Sequence, residues 1–444
     1  MSVFSAWPYF VLVLVVLGAM ALPVFRAADE PRHSSRDHRT ATLDGLRGFL
    51  ALSVFVHHLM VTHGYIEHGE WTFPPSGFHT LLGHAGVGVF FMITGFLFWG
   101  KLLDAKGRPD WRGLYAGRLW RIGPTYLLAV GLMFLVVAWR TGFELREPVW
   151  SLLGAVLQWL ALGIWPLQPD INGYAGTTLI LAGVTWTVFV EWLFYGALRP
   201  MAPLARGDRT PRFVLGLMLL LCLPLLCFAA LSPGATPSRP TLALVIGALA
   251  WVLASFLMGM LSAWLVRRGG PKLPQRSASL LALACLGGVF LGFEHMVGPV
   301  QVLLLWVFFH LVCTGSTLFG LLATRAARRM STASYSIYLL QGLVLTLVFG
   351  LRPVREFAMA GAMQYWLVGT ACALLLVAAS VVSYRLVEKP GIARDARGAG
   401  GGAVGRRAAS RPHSTSPGSA GNAQNASDAC HEPSSCASGT ESAP

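Results

Sequence analysis

The sequence predicts an all-α fold, a polytopic bundle of transmembrane helices, from three observations. Of the 444 residues, 55% are hydrophobic and only 12% are charged, which is about half the charged fraction of soluble domains. The mean hydropathy of the chain is +0.59. Apolar runs long enough to cross about 30 Å of hydrocarbon recur along the chain. These runs are expected to be helices, because a backbone in lipid must satisfy its hydrogen bonds within the segment.

Eleven apolar segments are candidate spans, and basic clusters lie between many of them. The segments fall at residues 7–25, 46–63, 80–100, 119–139, 177–198, 213–231, 241–266, 278–293, 297–323, 334–351 and 365–386. The basic clusters should face the cytoplasm, which predicts an external N-terminus and a cytoplasmic C-terminus. A twelfth apolar stretch, Val149–Trp165, lies between spans anchored on the same side by Arg121 and Arg199. It is therefore predicted to be re-entrant or interfacial on the outer side.

Two terminal segments flank the predicted core. Residues 1–39 hold the first apolar helix and a basic linker. This helix could instead be a cleaved signal peptide, because Ala19-Met20-Ala21 resembles a cleavage site. The residues before it include no Lys or Arg, and Arg26 follows it, which favours an uncleaved helix. Residues 40–390 form the predicted membrane domain. Residues 391–444 include no aromatic side chain, so a disordered cytoplasmic tail is expected there.

The charge and the cysteines narrow the classes of partner. The formal net charge of +14 would suggest nucleic acid binding in a soluble chain. In a membrane protein the same excess is expected in cytoplasmic loops, so no nucleic acid partner is predicted. The seven Cys form no CxxC pattern and no Cys/His cluster. They are expected to be small buried hydrophobic residues, with no metal site and no disulfide framework.

The segment from Leu43 to His58 carries the most informative polar residues. Arg47 and His58 are eleven residues apart, which corresponds to about three helical turns plus 20°. They therefore share one stripe of a helix, about 16 Å apart along its axis, whereas His57 points elsewhere. Either residue alone could be an interfacial anchor or a packed core histidine. An ionisable side chain deep in a span nevertheless indicates a functional site.

Two arginines at the start of the fourth predicted span form a second candidate site. Arg118 and Arg121 stand at i and i+3, so they share one helix face at the cytoplasmic end of the span. Guanidinium groups bind phosphates with paired, charge-assisted hydrogen bonds. The pair therefore suits a phosphorylated ligand, although simple anchoring by positive charge is the favoured explanation for this pair taken alone.

Further polar residues lie in the remaining spans. Glu191 is the only carboxylate inside a predicted span, and it requires a partner, a proton or a polar cavity. Ser334, Tyr338 and Gln341 lie near one helix face. Glu388 closes the last span at its cytoplasmic boundary.

Six motifs occur in one order along the chain: LDGLR-x10-H, GVxxFFxxTGF, RxxRIxPxY, TWTxxxExxFY, SYxxYLxQ and YRxxEKP. Each is weak alone, but the series resembles the bacterial acyltransferase family 3 of integral membrane O-acyltransferases, over residues 43–390. The resemblance implies a ten-span core, so the first helix is an extra one. It also implies transfer of an acyl group, often acetyl, from cytoplasmic acyl-CoA to a hydroxyl group of a sugar in the cell envelope or an exported glycan.

The resemblance also assigns site residues. Arg47 and His58 correspond to the essential arginine and histidine of the family, Arg118 and Arg121 to its RxxR pair, and Glu388 to its terminal glutamate. Two positions depart from the family pattern. Thr94 stands where Ser is commoner, and Gln341 stands where His is frequent. Because glutamine does not titrate, no proton-transfer role is expected of Gln341.

These features lead to a mechanistic hypothesis. Arg118 and Arg121 bind the phosphates of acyl-CoA, the donor substrate, and no tightly bound cofactor is expected. His58 acts as general base on the acceptor hydroxyl or carries the acyl group. Arg47 neutralises donor charge or orients His58. Glu388 pairs with a cytoplasmic arginine, and Glu191 positions the acceptor.

The expected setting is the bacterial inner membrane, with multiple spans, membrane lipid around them and a carbohydrate or glycolipid acceptor. The alternative is a proton-coupled transporter or flippase of a glycan intermediate, with His58, Glu191 and Arg47 as a relay. The chain shows no pair of broken helices in matching halves, which counts against transport. A scaffold without catalysis would leave these buried polar residues unexplained.

Overall fold

The computed structural model describes residues 2–29, 38–207, 209–231, 242–270, 273–294 and 298–392. Within these ranges the chain forms fourteen α-helices and no β-strand, with one isolated bridge between Ile171 and Tyr174. The predicted all-α fold is therefore confirmed. Nearly all of the predicted tail, from residue 393 onward, lies outside the described residues.

The helices are given in their order along the chain. They are α1 Trp7–Ala21, α2 His38–His68, α3 Gly77–Asp104, α4 Trp111–Arg140, α5 Val149–Leu160, α6 Thr185–Met201, α7 Arg209–Leu231, α8 Leu242–Arg268, α9 Gln275–Gly292, α10 Pro299–Cys313, α11 Arg325–Thr332, α12 Ser334–Gly350, α13 Arg352–Met359 and α14 Ala362–Ser383. A 3-10 segment, Thr177–Leu181, precedes α6, and a π-helical turn, Tyr384–Glu388, follows α14.

Seven helices in the described ranges are long and apolar enough to cross a membrane, namely α2, α3, α4, α7, α8, α9 and α14. An eighth span results if α11 and α12, which meet at a bend of 68°, count as one. The apolar helices α1 and α10 have 15 residues each, about 23 Å, which is shorter than the hydrocarbon layer. The multi-pass prediction is confirmed, but the predicted count of ten core spans is not.

The stretch predicted to be re-entrant or interfacial contains α5. This helix has 12 residues and is about 18 Å long, too short to span a bilayer. Trp159 is fully buried, and its indole Nε1 donates a 2.8 Å hydrogen bond to the carbonyl of Pro169. The helix is thus tied to the loop that follows it.

Helix α3 packs closely against both α2 and α8. Gly95 of α3 lies against the backbone of Phe256, and Gly259 of α8 lies against the carbonyl of Met92. A Cβ atom at either glycine would overlap this backbone. The glycines therefore let α3 and α8 approach closely, as small residues do at helix interfaces in membranes.

The extra N-terminal helix α1 packs against α11 and α14. Its end is held by Arg329, which is 4% exposed and forms a bidentate ion pair with Asp29 at 2.6 and 2.9 Å. The same guanidinium donates to the carbonyls of Met20 and Leu22. Hydrogen bonding to Arg329 lowers the pKa of the Asp29 carboxyl. The helix thus has a structural role in the bundle that its sequence did not explain.

Candidate active site

A cavity of about 860 Å³, including open solvent at its mouth, lies between α2, α3, α4, α6 and α12. We call it the arginine cavity. Its polar lining consists of Arg47, Thr94, Arg118, Arg121, Thr187, Glu191, Ser334, Tyr335 and Tyr338. Four of the six predicted site residues, from three different helices, therefore meet in one place.

Positive charge dominates this cavity. Arg47, Arg118 and Glu388 all lie within electrostatic range of Arg121. The guanidinium of Arg118 lies 4.7 Å from the ring centroid of Phe98. The buried Nε of Arg47 finds no hydrogen-bond partner among the described residues. Three like charges in a shared space repel one another, so the cavity favours an anionic ligand that binds several of them.

The carboxylate of Glu191 lies inside the arginine cavity. The hydroxyl of Tyr195 donates a 2.8 Å hydrogen bond to Oε2, and that of Thr94 donates a 3.4 Å bond to Oε1. The hydroxyl of Tyr195 also contacts Arg118. Glu191 therefore faces polar neighbours, and it is linked through Tyr195 to the arginine pair. Its carboxylate thus lies beside the arginine pair, and the role of Glu191 in positioning the acceptor stays a prediction.

Glu388 contributes to the electrostatics of this region from the π-helical turn. Its side chain is 2% exposed, and Ser336 Oγ donates a 3.4 Å hydrogen bond to Oε2. Among the described residues that line the arginine cavity, Glu388 does not appear. It lies within electrostatic range of Arg121, so it balances cationic charge without facing the cavity.

His58 lies apart from the arginine cavity. Its ring stacks on Trp71 with 6.3 Å between centroids and 23° between planes. Its side chain also contacts that of Gln341, whose Nε2 donates to the carbonyl of Tyr338 at 2.9 Å. The Nδ1 atom of His58 is buried and makes no hydrogen bond of ordinary geometry among the described residues, although the backbone of Val54, one turn earlier, lies near the ring. A buried ring nitrogen of this kind suits a transient partner.

The neighbouring His57 has a different environment. Its Nδ1 lies 2.9 Å from the carbonyl oxygen of His79 on α3. The ring occupies the space beside Gly83, where a Cβ atom would collide with it. The prediction that only one of the two histidines shares the face of Arg47 agrees with this arrangement, and His57 acts as a packing residue between α2 and α3.

A second cavity, of about 770 Å³ including open solvent, lies beyond His58. We call it the Trp71 cavity. It is lined by the end of α2, the loop and 3-10 segment between residues 174 and 180, the later part of α12, and two arginines, Arg140 and Arg355. Trp71 lines this cavity and stacks on His58, so the imidazole lies next to it.

The two cavities follow one another along the same helices. On α2, Arg47 lines the first and Thr62 the second, with His58 between them. On α12, Tyr338 lines the first and Gly342 the second, with Gln341 between them in the sequence. His58 and Gln341 therefore occupy the level at which the two cavities approach each other.

Some residues of the site are absent from the set predicted from the sequence. Tyr195 stands four residues after Glu191, on the same helix face, so its spacing could have identified it. Tyr335 belongs to a recognised motif and lines the arginine cavity. Trp71 follows α2 in a loop, and no local pattern relates it to His58.

Comparison with known proteins identifies the family. The model of the acyltransferase family 3, described as an acyltransferase domain, matches residues 40–385. The chain belongs to this family. The family predicted from the six motifs is thereby confirmed, and with it the class of enzyme.

Two curated relatives of this acyltransferase extend the comparison. The chain is 26% identical over 388 residues to the "Putative peptidoglycan O-acetyltransferase YrhL" of Bacillus subtilis, and the alignment covers 81% of the chain but only 56% of that relative. It is 28% identical over 343 residues to the "Exopolysaccharide production protein ExoZ" of Rhizobium meliloti, covering 75% of the chain and 97% of the relative. No solved structure is detectably similar to the chain.

Proposed function

We propose that this protein moves an acyl group, most simply acetyl, from acyl-CoA to a hydroxyl group of a cell-envelope or exported carbohydrate. The observation that carries the proposal is the arrangement of two cavities that follow one another along α2 and α12, with His58 on α2 between the residues that line them. Transfer between two substrates requires such a meeting point, because both reacting groups must reach one general base.

The arginine cavity suits the donor. CoA carries several phosphates, and Arg118 and Arg121 line the cavity together with Arg47. Charge-assisted hydrogen bonds to these arginines would hold the nucleotide end. The pantetheine arm then has to cover the distance from Arg47 to His58, eleven residues along α2, or about 16 Å. With the basic clusters in the cytoplasm, the donor enters from that side.

His58 supplies the chemistry in this proposal. A neutral imidazole accepts a proton through its unprotonated ring nitrogen, so the buried ring of His58 beside Trp71 can take the proton of the acceptor hydroxyl. The hydroxyl oxygen then attacks the thioester carbonyl and forms the new ester bond. The C–S bond breaks, and the CoA thiolate takes the proton from the imidazolium. Gln341, which contacts the ring, fixes its orientation without titrating.

The carboxylates act through the arginines. Glu191 holds Tyr195, whose hydroxyl contacts Arg118, and it thereby positions one guanidinium of the donor site. Glu388 lies near Arg121 and offsets repulsion when no donor is bound. Both are positioning residues, because neither acts directly on the reacting atoms.

The class of acceptor is supported by the relatives. One is named for O-acetylation of peptidoglycan and the other for exopolysaccharide production. The Trp71 cavity offers aromatic rings and hydroxyl groups, which suit the apolar faces and hydroxyl groups of a sugar. A carbohydrate in this cavity would present a hydroxyl group to His58 beside Trp71.

The proposal is tested with the full-length protein in lipid nanodiscs and acetyl-CoA labelled in the acetyl group. The wild-type protein should release free CoA and label a cell-wall glycan fraction. His58→Ala should lower the rate at least 100-fold, because general base catalysis contributes about 10²- to 10⁴-fold. His68→Ala, at the exposed end of the same helix, is the matched control and should retain full activity.

Two results would overturn the proposal. One is an unchanged rate in a folded His58→Ala protein. The other is movement of a glycan intermediate across the membrane without consumption of acetyl-CoA, which would make the protein a transporter or flippase.

A further inference from the structure

The Trp71 cavity carries two arginines that the acyl transfer does not use. Arg140 is the last residue of α4, and Arg355 lies on α13. Neither forms an ion pair with a carboxylate among the described residues. By contrast Arg352, one turn before Arg355, is paired with Glu356 at 2.7 Å. Two arginines without carboxylate partners at one cavity indicate a site for an anion.

The rest of the lining adds no compensating negative charge. No Asp or Glu occurs among the described residues that line this cavity. The other polar groups are neutral and include the hydroxyls of Thr62 and Thr346 and the phenol of Tyr174. Thr62 already donates to the carbonyl of His58 at 2.8 Å. The charges that line the cavity are therefore positive and belong to two exposed arginines, and an anionic group is the ligand that would neutralise them.

Aromatic rings line the cavity next to the arginines. Tyr65 and Trp71 pack edge to face with 5.7 Å between centroids, and Phe349 lies on α12. Aromatic faces pack against the C–H face of a sugar ring, whereas a phenol or indole edge offers a hydrogen bond. The combination of rings, hydroxyls and cations fits an acidic saccharide better than a neutral one.

The loop that contributes Tyr174 to the cavity is held in place by side-chain hydrogen bonds. Asn172 donates from Nδ2 to Thr141 Oγ1 at 3.1 Å and to the carbonyl of Glu144 at 2.7 Å. Its Oδ1 accepts from the backbone N–H of Arg146 at 2.9 Å. These bonds tie the loop before α6 to the residues directly after Arg140. The aromatic wall and one of the two cations are thereby fixed relative to each other.

We propose that the Trp71 cavity binds an anionic saccharide, with Arg140 and Arg355 holding its carboxylate or phosphate group. This inference rests on the proposed function and specifies its acceptor, because a sugar held there lies next to Trp71 and the imidazole of His58. The anionic group faces the arginines, and the hydroxyl to be acylated faces His58. Arg140 and Arg355 then determine acceptor specificity.

The test compares an acidic saccharide with its uncharged methyl ester, and a sugar phosphate serves as a third probe. Trigalacturonic acid and its methyl ester are titrated separately into the full-length protein in nanodiscs of phosphatidylcholine, and galactose 1-phosphate serves as the phosphate probe. The acid should bind at least tenfold more tightly than the ester. Arg140→Gln and Arg355→Gln should each weaken the acid about tenfold and leave the ester unchanged, since each removes a charge-assisted hydrogen bond. Arg352→Gln is the matched control and should change neither.

If galactose 1-phosphate binds, and binds more weakly to the same two variants, the site accepts phosphate as its anion. If galactose 1-phosphate binds only weakly to the wild-type protein, the site is restricted to carboxylates. Equal affinity for acid and ester, or no binding of either anionic probe, would overturn the inference. Displacement of the acid by phosphatidylglycerol at matched concentration would also overturn it, since the cavity would then be a lipid site. Consumption of acetyl-CoA is measured in the same samples. Its absence would refute the proposed function, whereas the saccharide titrations test the cavity independently.

Discussion

Replacement of Arg121 tests whether the arginine cavity binds the phosphates of the donor. Arg121 lines the cavity with Arg47 and Arg118, and both lie within its electrostatic range. Arg121→Gln removes one charge-assisted hydrogen bond to a phosphate, about 1.5–3 kcal/mol. At about 1.4 kcal/mol per factor of ten, kcat/KM for acetyl-CoA should fall about 10- to 150-fold. The fold should tolerate the change, because it relieves repulsion among three cations.

The decisive assay uses two donors in parallel. S-acetyl-pantetheine has the same thioester but no phosphate, so Arg121→Gln should leave its kcat/KM unchanged. Arg112→Gln, an exposed position at the start of α4, controls for the loss of a positive charge on the same helix. Thiol release is followed for both donors. An equal loss with acetyl-CoA and S-acetyl-pantetheine would refute the assignment of Arg121 to the phosphates, as would an equal effect of Arg112→Gln.

Two further predictions concern carboxylates. Glu191→Ala should raise the KM for acetyl-CoA about tenfold, since it removes the acceptor that holds Tyr195. Glu191→Gln keeps an oxygen acceptor and should restore most of the affinity. Equal increases of KM for the two variants in steady-state kinetics would contradict a positioning role. Asp29→Asn should lower the free energy of unfolding at neutral pH by no more than about 1 kcal/mol, because the Asp29 carboxylate is half-exposed. Arg329 lowers the pKa of Asp29 below 3.8, so the ion pair stabilises the fold at higher pH and is lost as the pH falls through that lowered pKa. Thermal unfolding should thus differ between Asp29→Asn and the wild type at pH 7 and converge in strong acid, and a constant difference at all pH values would contradict this account.

Local periodicity explains why part of the site could be found from the sequence. Arg47 and His58 lie on one α-helix, so their relative direction follows from the helix repeat alone. The shared face of Arg118 and Arg121 follows from the same repeat. The polar environment of Glu191 follows from the cost of a carboxylate inside an apolar span. That Arg47 lies in one cavity with Arg118 and Arg121 could not be derived from helix periodicity, because α3 separates Arg47 from the other two in the chain. Only the family resemblance placed the three in one site.

Hydropathy alone could not predict the number of membrane-spanning helices. Composition identifies apolar stretches, but the length of a helix depends on where capping and packing end it. α1 and α10 end after 15 residues, although the apolar runs around them are longer. Helices α11 and α12 meet at a bend, with Ala333 between them. A hydropathy profile measures only how apolar a segment is, so it could not predict this bend.

The sequence by itself determined the all-α membrane fold, the family, and the polar residues that share a helix face. These properties depend on composition and on the 3.6-residue repeat, which are local. Only the tertiary structure showed that His58 lies between two cavities, beside Trp71 and Gln341, and that Arg140 and Arg355 line the second. Such neighbours come from helices far apart in the chain, and they meet only because close packing of the whole bundle fixes how each helix is rotated and how deep it lies.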